Sequence, residues 1–233
     1  MNGAGGLLVE MALVLGAYLL GSVPQLYLLG RMRGVDLRHE EDFHISLWRK
    51  AGRLEGALGI LGDLLKGVVP VLLGRALGLE VRVIALAGLA AVVGQMWPVF
   101  FGFDGEKGNS TGGAMMAVLT PKALLVALIP ILLGALVRTV PRLSDPSQSL
   151  DQRLRFGGPP SRSLPLGMAM GFATLPVASW WLGEPLEITL VGLALFILIL
   201  LRRATAGVRQ DLRDSADKRG ILINRLLYDR SHL

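Results

Sequence analysis

The apolar residues of this chain fall into long blocks separated by short polar stretches. Leu7–Leu29 carries one charge, Glu10, and Leu54–Leu73 carries Glu55, Asp63 and Lys66. Val83–Phe101, Ala123–Val137, Leu164–Leu182 and Ile188–Leu201 carry none. About 20 apolar residues in helical form cross ~30 Å of hydrocarbon. Four blocks (Leu7–Leu29, Leu54–Leu73, Val83–Phe101 and Leu164–Leu182) reach that length directly. Ala123–Val137 and Ile188–Leu201 reach it with tilt or flanking residues. No block shows the ~10-residue alternation of a membrane barrel strand, and helices satisfy their backbone polar groups without water. The pattern predicts an all-α, polytopic membrane protein. A soluble fold would have to bury several uncharged runs at once. The first block lacks the positive leader and the small-residue cleavage site of a signal peptide, so it is read as a membrane helix.

Charge orders these helices. The chain has 24 Lys and Arg against 18 Asp and Glu, a net +6. The excess is concentrated. Arg31–Arg53 holds six basic residues, Arg138–Arg162 five arginines, and the tail from Arg202 seven arginines and Lys218. The stretch before Leu7 has none, and the link Gly183–Glu187 has only acids. Basic loops stay on the cytoplasmic side. The N-terminus is therefore expected outside and the C-terminus in the cytoplasm, with Arg75 and Arg82 as a minor exception. That orientation requires an odd number of spans. The additional segment falls in Thr111–Thr120, which at ~1.5 Å per residue reaches only ~15 Å. The expectation is about seven transmembrane segments with the fourth short: a membrane domain over 1–205 and a basic cytoplasmic tail over 206–233, read as a solvated amphipathic helix.

Composition removes several chemistries. With no cysteine among 233 residues, there is no disulfide, thiolate metal site or cysteine nucleophile. The three histidines, His39, His44 and His232, lie outside the apolar blocks, which gives a Ser–His hydrolase no support. No internal repeat of the kind common in transporters is visible. No nucleic-acid partner, metal or cofactor is expected.

Polar residues that topology does not require collect in three clusters on the inward half. Gly21-Ser22-Val23-Pro24, followed by Arg31, is the first. Asp63-Leu64-Leu65-Lys66-Gly67 is the second, with Asp63 and Lys66 on one helix face. Charges at such depth are costly and are paired or functional. The third is Gly105-Glu106-Lys107-Gly108-Asn109-Ser110-Thr111. Two glycines bend the chain around a lysine, and three N-cap-type residues precede an apolar stretch. A helix start with exposed N–H groups and one lysine suits an anion, although the spacing is not that of a P-loop. Taken singly, each cluster also has a plain structural reading: a back-bonded serine, a packing ion pair, a solvated turn.

Taken together, in this order and spacing, they resemble the bacterial acyl-phosphate-dependent glycerol-3-phosphate acyltransferase family. Gly21-Ser22-Val23-Pro24, Tyr27-Leu28, Arg31 and Arg33-Gly34-Val35-Asp36 are similar to its opening motif. Asp63-Leu64-Leu65-Lys66-Gly67 is similar to its second-helix motif. Pro98-Val99-Phe100, Phe103, Gly105-Glu106-Lys107-Gly108 and Thr111 are similar to its glycine–lysine loop. The resemblance covers about Gly16–Pro121. It implies a multi-pass enzyme of the bacterial inner membrane that moves a fatty acyl group from acyl phosphate to glycerol-3-phosphate. The product would be lysophosphatidic acid, made for phospholipid synthesis among membrane lipids. It implies catalytic roles for Lys107, Arg31 and Ser22, phosphate binding by Lys66, Gly105, Gly108, Asn109, Ser110 and Thr111, and an orienting role for Asp63.

The chain also departs from the family pattern. Glu40-Glu41-Asp42-Phe43-His44-Ile45-Ser46 replaces a Ser-Gly-Asn-x-Gly-Ala-Thr-Asn loop. Gln95 replaces a histidine, Trp97 a phenylalanine, Leu26 a glycine, and Glu106 the second glycine of Gly-Gly-Lys-Gly. A second reading stays open on these grounds: a related membrane acyltransferase with another acceptor, or a homologue that binds acyl phosphate or lipid without turnover.

Overall fold

A computed structural model describes residues 3–38, 40, 43–144, 161–208, 211, 213 and 217–229. His39, Glu41, Asp42, the middle of the basic Arg138–Arg162 segment and His232 lie outside the described residues. Within them the chain is helical: α1 (Gly3–Ser22), α2 (Gln25–Met32), α3 (Phe43–Lys50), α4 (Arg53–Ala76), α5 (Val81–Met96), a 3-10 turn (Val99–Phe101), α6 (Asn109–Leu119), α7 (Pro121–Leu143), α8 (Ser163–Trp181), α9 (Leu186–Thr205) and α10 (Lys218–Tyr228). Each of the seven apolar segments is helical, the first of them broken into α1 and α2, and the fourth is short.

Local chemistry explains the breaks. Pro24 has no N–H and disfavours helical backbone at Val23, so the first apolar block ends as α1 and restarts as α2. Pro70 lies inside α4 and cannot donate to the carbonyl of Lys66, four residues earlier.

Among the described residues, five helical segments are long and apolar enough to cross a membrane: Gly3–Met32, Arg53–Ala76, Val81–Phe101, Pro121–Leu143 and Leu186–Thr205. The set differs from the apolar runs in one respect. α7 and α9 gain length by continuing past their uncharged cores into Arg138–Leu143 and Arg202–Thr205. α8 has the length but is diluted by Pro165, Pro176, Gly167, Gly171, Ser179 and two tryptophans. The helices expose apolar faces. Leu125, Ile129, Leu132, Leu133 and Leu136 of α7 are each more than half exposed, a row of apolar side chains of the kind that marks an interaction or membrane-facing surface. Lipid is the solvent that suits such faces.

The chain divides into two compact units: Met1–Pro121 with Pro185–Val191, and Lys122–Glu184 with Gly192–Leu233. In the first, α1 lies along α5 and α4 along α6. Small residues let these backbones meet, as is usual between membrane helices. A methyl group at Gly21 or Gly94 would overlap the carbonyl oxygen of Ala91 or Tyr18, and one at Gly67 that of Thr111. Leu13, Ala17, Val83, Ala87 and Ala91 fill the α1–α5 seam. Leu26, Leu37 and Leu47 seat α2 and α3 against the glycine-rich face of α4, where Gly56 admits Trp48 and Gly59 admits Leu26. In the second unit, Gly134 and Gly171 let α7 and α8 pack closely in the same way. The tail is more than a solvated helix, because α10 buries Ile221 and Arg225.

Candidate active site

The site lies in the first unit and is built around Asp63. This carboxylate has no exposed surface, yet four elements supply donors to it. Gln25 of α2 donates its amide to Oδ1. His44 of α3 places Nε2 2.8 Å from Oδ2, and Ser110 of α6 donates to the same oxygen at 3.1 Å. On α4 itself, the Lys66 ammonium lies 3.7 Å from Oδ1. Thr111 donates to the Asp63 backbone carbonyl at 2.9 Å. A buried carboxylate is tolerable only with such partners.

Lys66 is 5% exposed and donates to the Val23 carbonyl at 2.7 Å. That carbonyl lies at the helix break before Pro24, where it also accepts from the Gln25 N–H at 3.0 Å. Lys66 also lines a small cleft, together with Gly21, Pro24, Tyr27, Phe43, Gln95, Phe101, Gly105 and Glu106. The rings of Tyr27 and Phe101 meet at 4.9 Å between centroids and form an apolar wall. The cleft thus combines an aromatic wall with a nearly buried cation.

The glycine–lysine loop closes on the end of α5. The N–H of Gly105 donates to the Met96 carbonyl at 3.2 Å and that of Glu106 to the Gln95 carbonyl at 3.1 Å. A side chain at Gly105 would overlap the Gln95 carbonyl. Gly105 therefore serves the close turn, and its N–H is spent there and is not offered to a phosphate. Gly108 sits at φ +72 as the cap of α6, a conformation cheap only for glycine. No side chain caps that helix. Ser110 and Thr111 turn to Asp63 instead, and the Oδ1 of Asn109 is buried with no hydrogen-bond partner among the described residues. The first-turn N–H groups of α6 lack intrahelical acceptors.

The remaining expected residues are placed differently. Ser22 is buried and its hydroxyl donates to the Tyr18 carbonyl at 2.9 Å. Lys107 sits half-buried in the loop between Glu106 and Gly108. Arg31 is at the end of α2 with 56% of its side chain exposed, 3.7 Å from Asp36 and over the Tyr27 ring. It is not among the residues lining the cleft.

Sequence reasoning missed two amides and the position of one histidine. Gln25 and Gln95 are single amides in apolar blocks, which was the available signal. Gln95 is 3% exposed, and both amide atoms are buried without partners among the described residues. His44, expected away from the helices that carry the chemistry, packs directly on Asp63. The ligand-type atoms of His44, Asp63 and Glu106 lie within 4.8 Å of one another, a grouping that the sequence did not suggest. The acidic stretch before it is partly neutralised, since Glu40 accepts from Ser46 at 2.7 Å and Lys50 at 2.5 Å.

A family model described as "Glycerol-3-phosphate acyltransferase" matches residues 11–209. The chain belongs to that family. Among its relatives is a protein named glycerol-3-phosphate acyltransferase from Rubrobacter xylanophilus. It is 50% identical over 117 residues, covering 49% of this chain and 59% of the relative. The protein of that name from Geobacter metallireducens is 43% identical over 123 residues, covering 52% of this chain and 63% of the relative. The match thus spans less than two thirds of either relative. Crystal structures of PlsY, an integral membrane glycerol 3-phosphate acyltransferase, share the fold. The glycerol 3-phosphate form aligns at TM-score 0.68 and 26% identity, covering 96% of this chain and 94% of that one. The lysophosphatidic acid form aligns at TM-score 0.66 and 24% identity, covering 88% and 93%. With this fold and five apolar helices of spanning length, the family member is a multi-pass membrane protein.

Proposed function

We propose that this protein transfers a fatty acyl group from acyl phosphate to the first hydroxyl of glycerol-3-phosphate at the inner face of the bacterial cell membrane. The observation that carries the reading is a nearly buried ammonium, Lys66, lining a cleft between an aromatic wall and a glycine–lysine loop. The family match supports it. In the step, the glycerol oxygen attacks the acyl carbonyl carbon, the bond from that carbon to the bridging phosphate oxygen breaks, and the leaving phosphate takes the hydroxyl proton. The donor is already activated, so the protein's work is to hold two anions in register and stabilise developing charge. Lys66, Lys107 and Arg31 supply cations. Ser110, Thr111, Asn109 and the first turn of α6 supply donors near Asp63, which orients Lys66. Gly105 and Gly108 shape the loop, and Ser22 packs beside the Val23 carbonyl that holds Lys66.

The same reading has seven transmembrane segments with α6 the short one, the N-terminus outside and the C-terminus inside. Residues 1–205 form the membrane domain and 206–233 the basic cytoplasmic tail. The positive residues of Arg31–Arg53 and the tail favour this orientation, and cysteine-accessibility labelling at either end tests it.

Purified protein in detergent is expected to release phosphate from acyl phosphate only when glycerol-3-phosphate is present. Folded protein with no acceptor-dependent release would overturn the reading. Release with another alcohol alone would move the function to a different acceptor, the alternative that the altered Glu40–Ser46 segment favours.

A further inference from the structure

We propose that His44 is a positioning residue, held as an imidazolium between Asp63 and Glu106, and that its proton fastens the glycine–lysine loop to α4. The inference rests on the acyl-transfer reading for its kinetic consequence, though not for the state of the ring.

The geometry assigns both ring nitrogens. Nε2 lies 2.8 Å from Asp63 Oδ2, and Nδ1 lies 3.4 Å from Glu106 Oε2. A neutral imidazole carries one N–H, so one nitrogen would turn its lone pair toward a carboxylate. Only the doubly protonated ring satisfies both acids. The three residues come from separate elements: α3, α4 and the loop before α6. One ring therefore ties together the segments that form one side of the cleft.

Charge points the same way. Among the described residues, the charged groups facing this ring are Asp63 and Lys66 from α4 and Glu106 from the loop, with the Lys66 ammonium 3.7 Å from Asp63 Oδ1. With His44 protonated, the node holds two cations and two anions. With His44 neutral, it holds one cation and two anions beside the cleft that is to receive a phosphate. Asp63 is fully buried, where such an imbalance is felt strongly. The net negative charge would both weaken phosphate binding and release Glu106 from its partner.

A divalent cation is the competing occupant of the same three residues. One ion engages one nitrogen of an imidazole, whereas here the two carboxylates face opposite nitrogens. The Asp63 oxygen on the His44 side, Oδ2, already accepts from Ser110 at 3.1 Å.

The test uses the full chain in detergent with ¹⁵N-labelled histidine. The His44 signal is assigned in a variant lacking His39 and His232. At pH 7 both His44 ring nitrogens are expected to be protonated, and Glu106→Gln is expected to leave a neutral ring at the same pH. A neutral ring in the wild type, or a signal that shifts with added zinc and returns with chelator, overturns the proposal. The kinetic arm is a cycle. His44→Asn alone leaves excess negative charge, and the KM for glycerol-3-phosphate should rise about tenfold with a smaller change in kcat, equivalent to one tenfold step in affinity. Adding Glu106→Gly removes the excess and should recover most of that loss. In the wild type, kcat/KM should fall as pH rises and the ring loses its proton; the double variant should lack that limb. Additive losses in the cycle overturn the proposal, because residues with merely separate packing roles behave that way. Failure of acyl transfer in the wild type would instead strike the acyltransferase reading, leaving the NMR result to judge the ring.

Discussion

Two buried charged nodes in this protein differ in a way that separates a site from a brace. Around Asp63, four elements bring an amide, an imidazole, a hydroxyl and an ammonium to one carboxylate, and a cleft adjoins them. In the second unit, Arg203 is 1% exposed and donates to the carbonyls of Pro165 and Leu226. Nearby, Arg225 donates through Nε to Asp211 at 2.9 Å and through Nη1 to the Ala206 carbonyl. Both nodes remove charge from water. The arginine node spends most of its named donors on backbone carbonyls and one acid, which fastens α10 to the chain before it. The Asp63 node holds cations and anions beside open space, where a ligand's charge can join them. Burial of charge by itself does not mark a site; convergence on accessible space does.

Removing one group at a time breaks this comparison in graded steps. Asp63→Ala should have the largest effect. It strips the partner from a buried ammonium and from three further donors, and loss of one member of a buried pair costs about 3–5 kcal/mol. Thermal unfolding followed by size-exclusion chromatography should show little folded protein. A variant with wild-type melting would mean that the node is not structural. Lys66→Met should come next, because Asp63 keeps Gln25, His44 and Ser110. The protein should elute normally while acceptor-dependent phosphate release falls by about 10²-fold, the scale for losing one preorganised electrostatic donor. A rate near wild type would remove Lys66 from the chemistry.

Arg225→Ala should sharpen the contrast from the other side. Charge-assisted hydrogen bonds contribute about 1.5–3 kcal/mol each when lost from a protein. The melting temperature should drop by several degrees and phosphate release should stay within about twofold. A large loss of turnover with an unchanged melting curve would make the arginine node functional after all. Arg82→Ala should do least. Its ion pair with Glu80 at 3.0 Å is well exposed on both sides, and such pairs contribute at most about 1 kcal/mol. The expected change in melting temperature is correspondingly small, and a drop as large as that of Arg225→Ala would contradict the ranking.

The helices were legible because their signal is local and strong. Uncharged runs such as Val83–Phe101 have one low-energy solution in lipid, and Pro121 divides two of the segments; the break at Pro24, inside the block Leu7–Leu29, emerged only in the structure. Boundaries set by tertiary extension were less visible: α7 and α9 run on through arginines that an apolar run does not include. The candidate site was half legible. Asp63, Lys66 and the glycine–lysine loop stood out as charge and glycine where helices need neither. Ser110 and Thr111 were seen, but as caps, whereas they donate to Asp63. The free caps lost because a buried carboxylate and its backbone carbonyl need those hydroxyls more than a helix start, which Gly108 already turns. His44 was invisible as a partner because nothing in a linear sequence brings α3 onto α4; the α4 glycines that admit Trp48 and Leu26 do that.

Sequence alone determined the solvent of this protein, the order and approximate extent of its helices, and the identity of the charges placed where lipid makes charge expensive. Those are properties of residues and their near neighbours, written in hydropathy and in the fixed geometry of proline and glycine. The tertiary structure alone decided which of those charges meet. Asp63 gathers donors from residues 25, 44, 66 and 110, and a buried carboxylate selects its partners by distance in space and by the cost of leaving any donor unmatched.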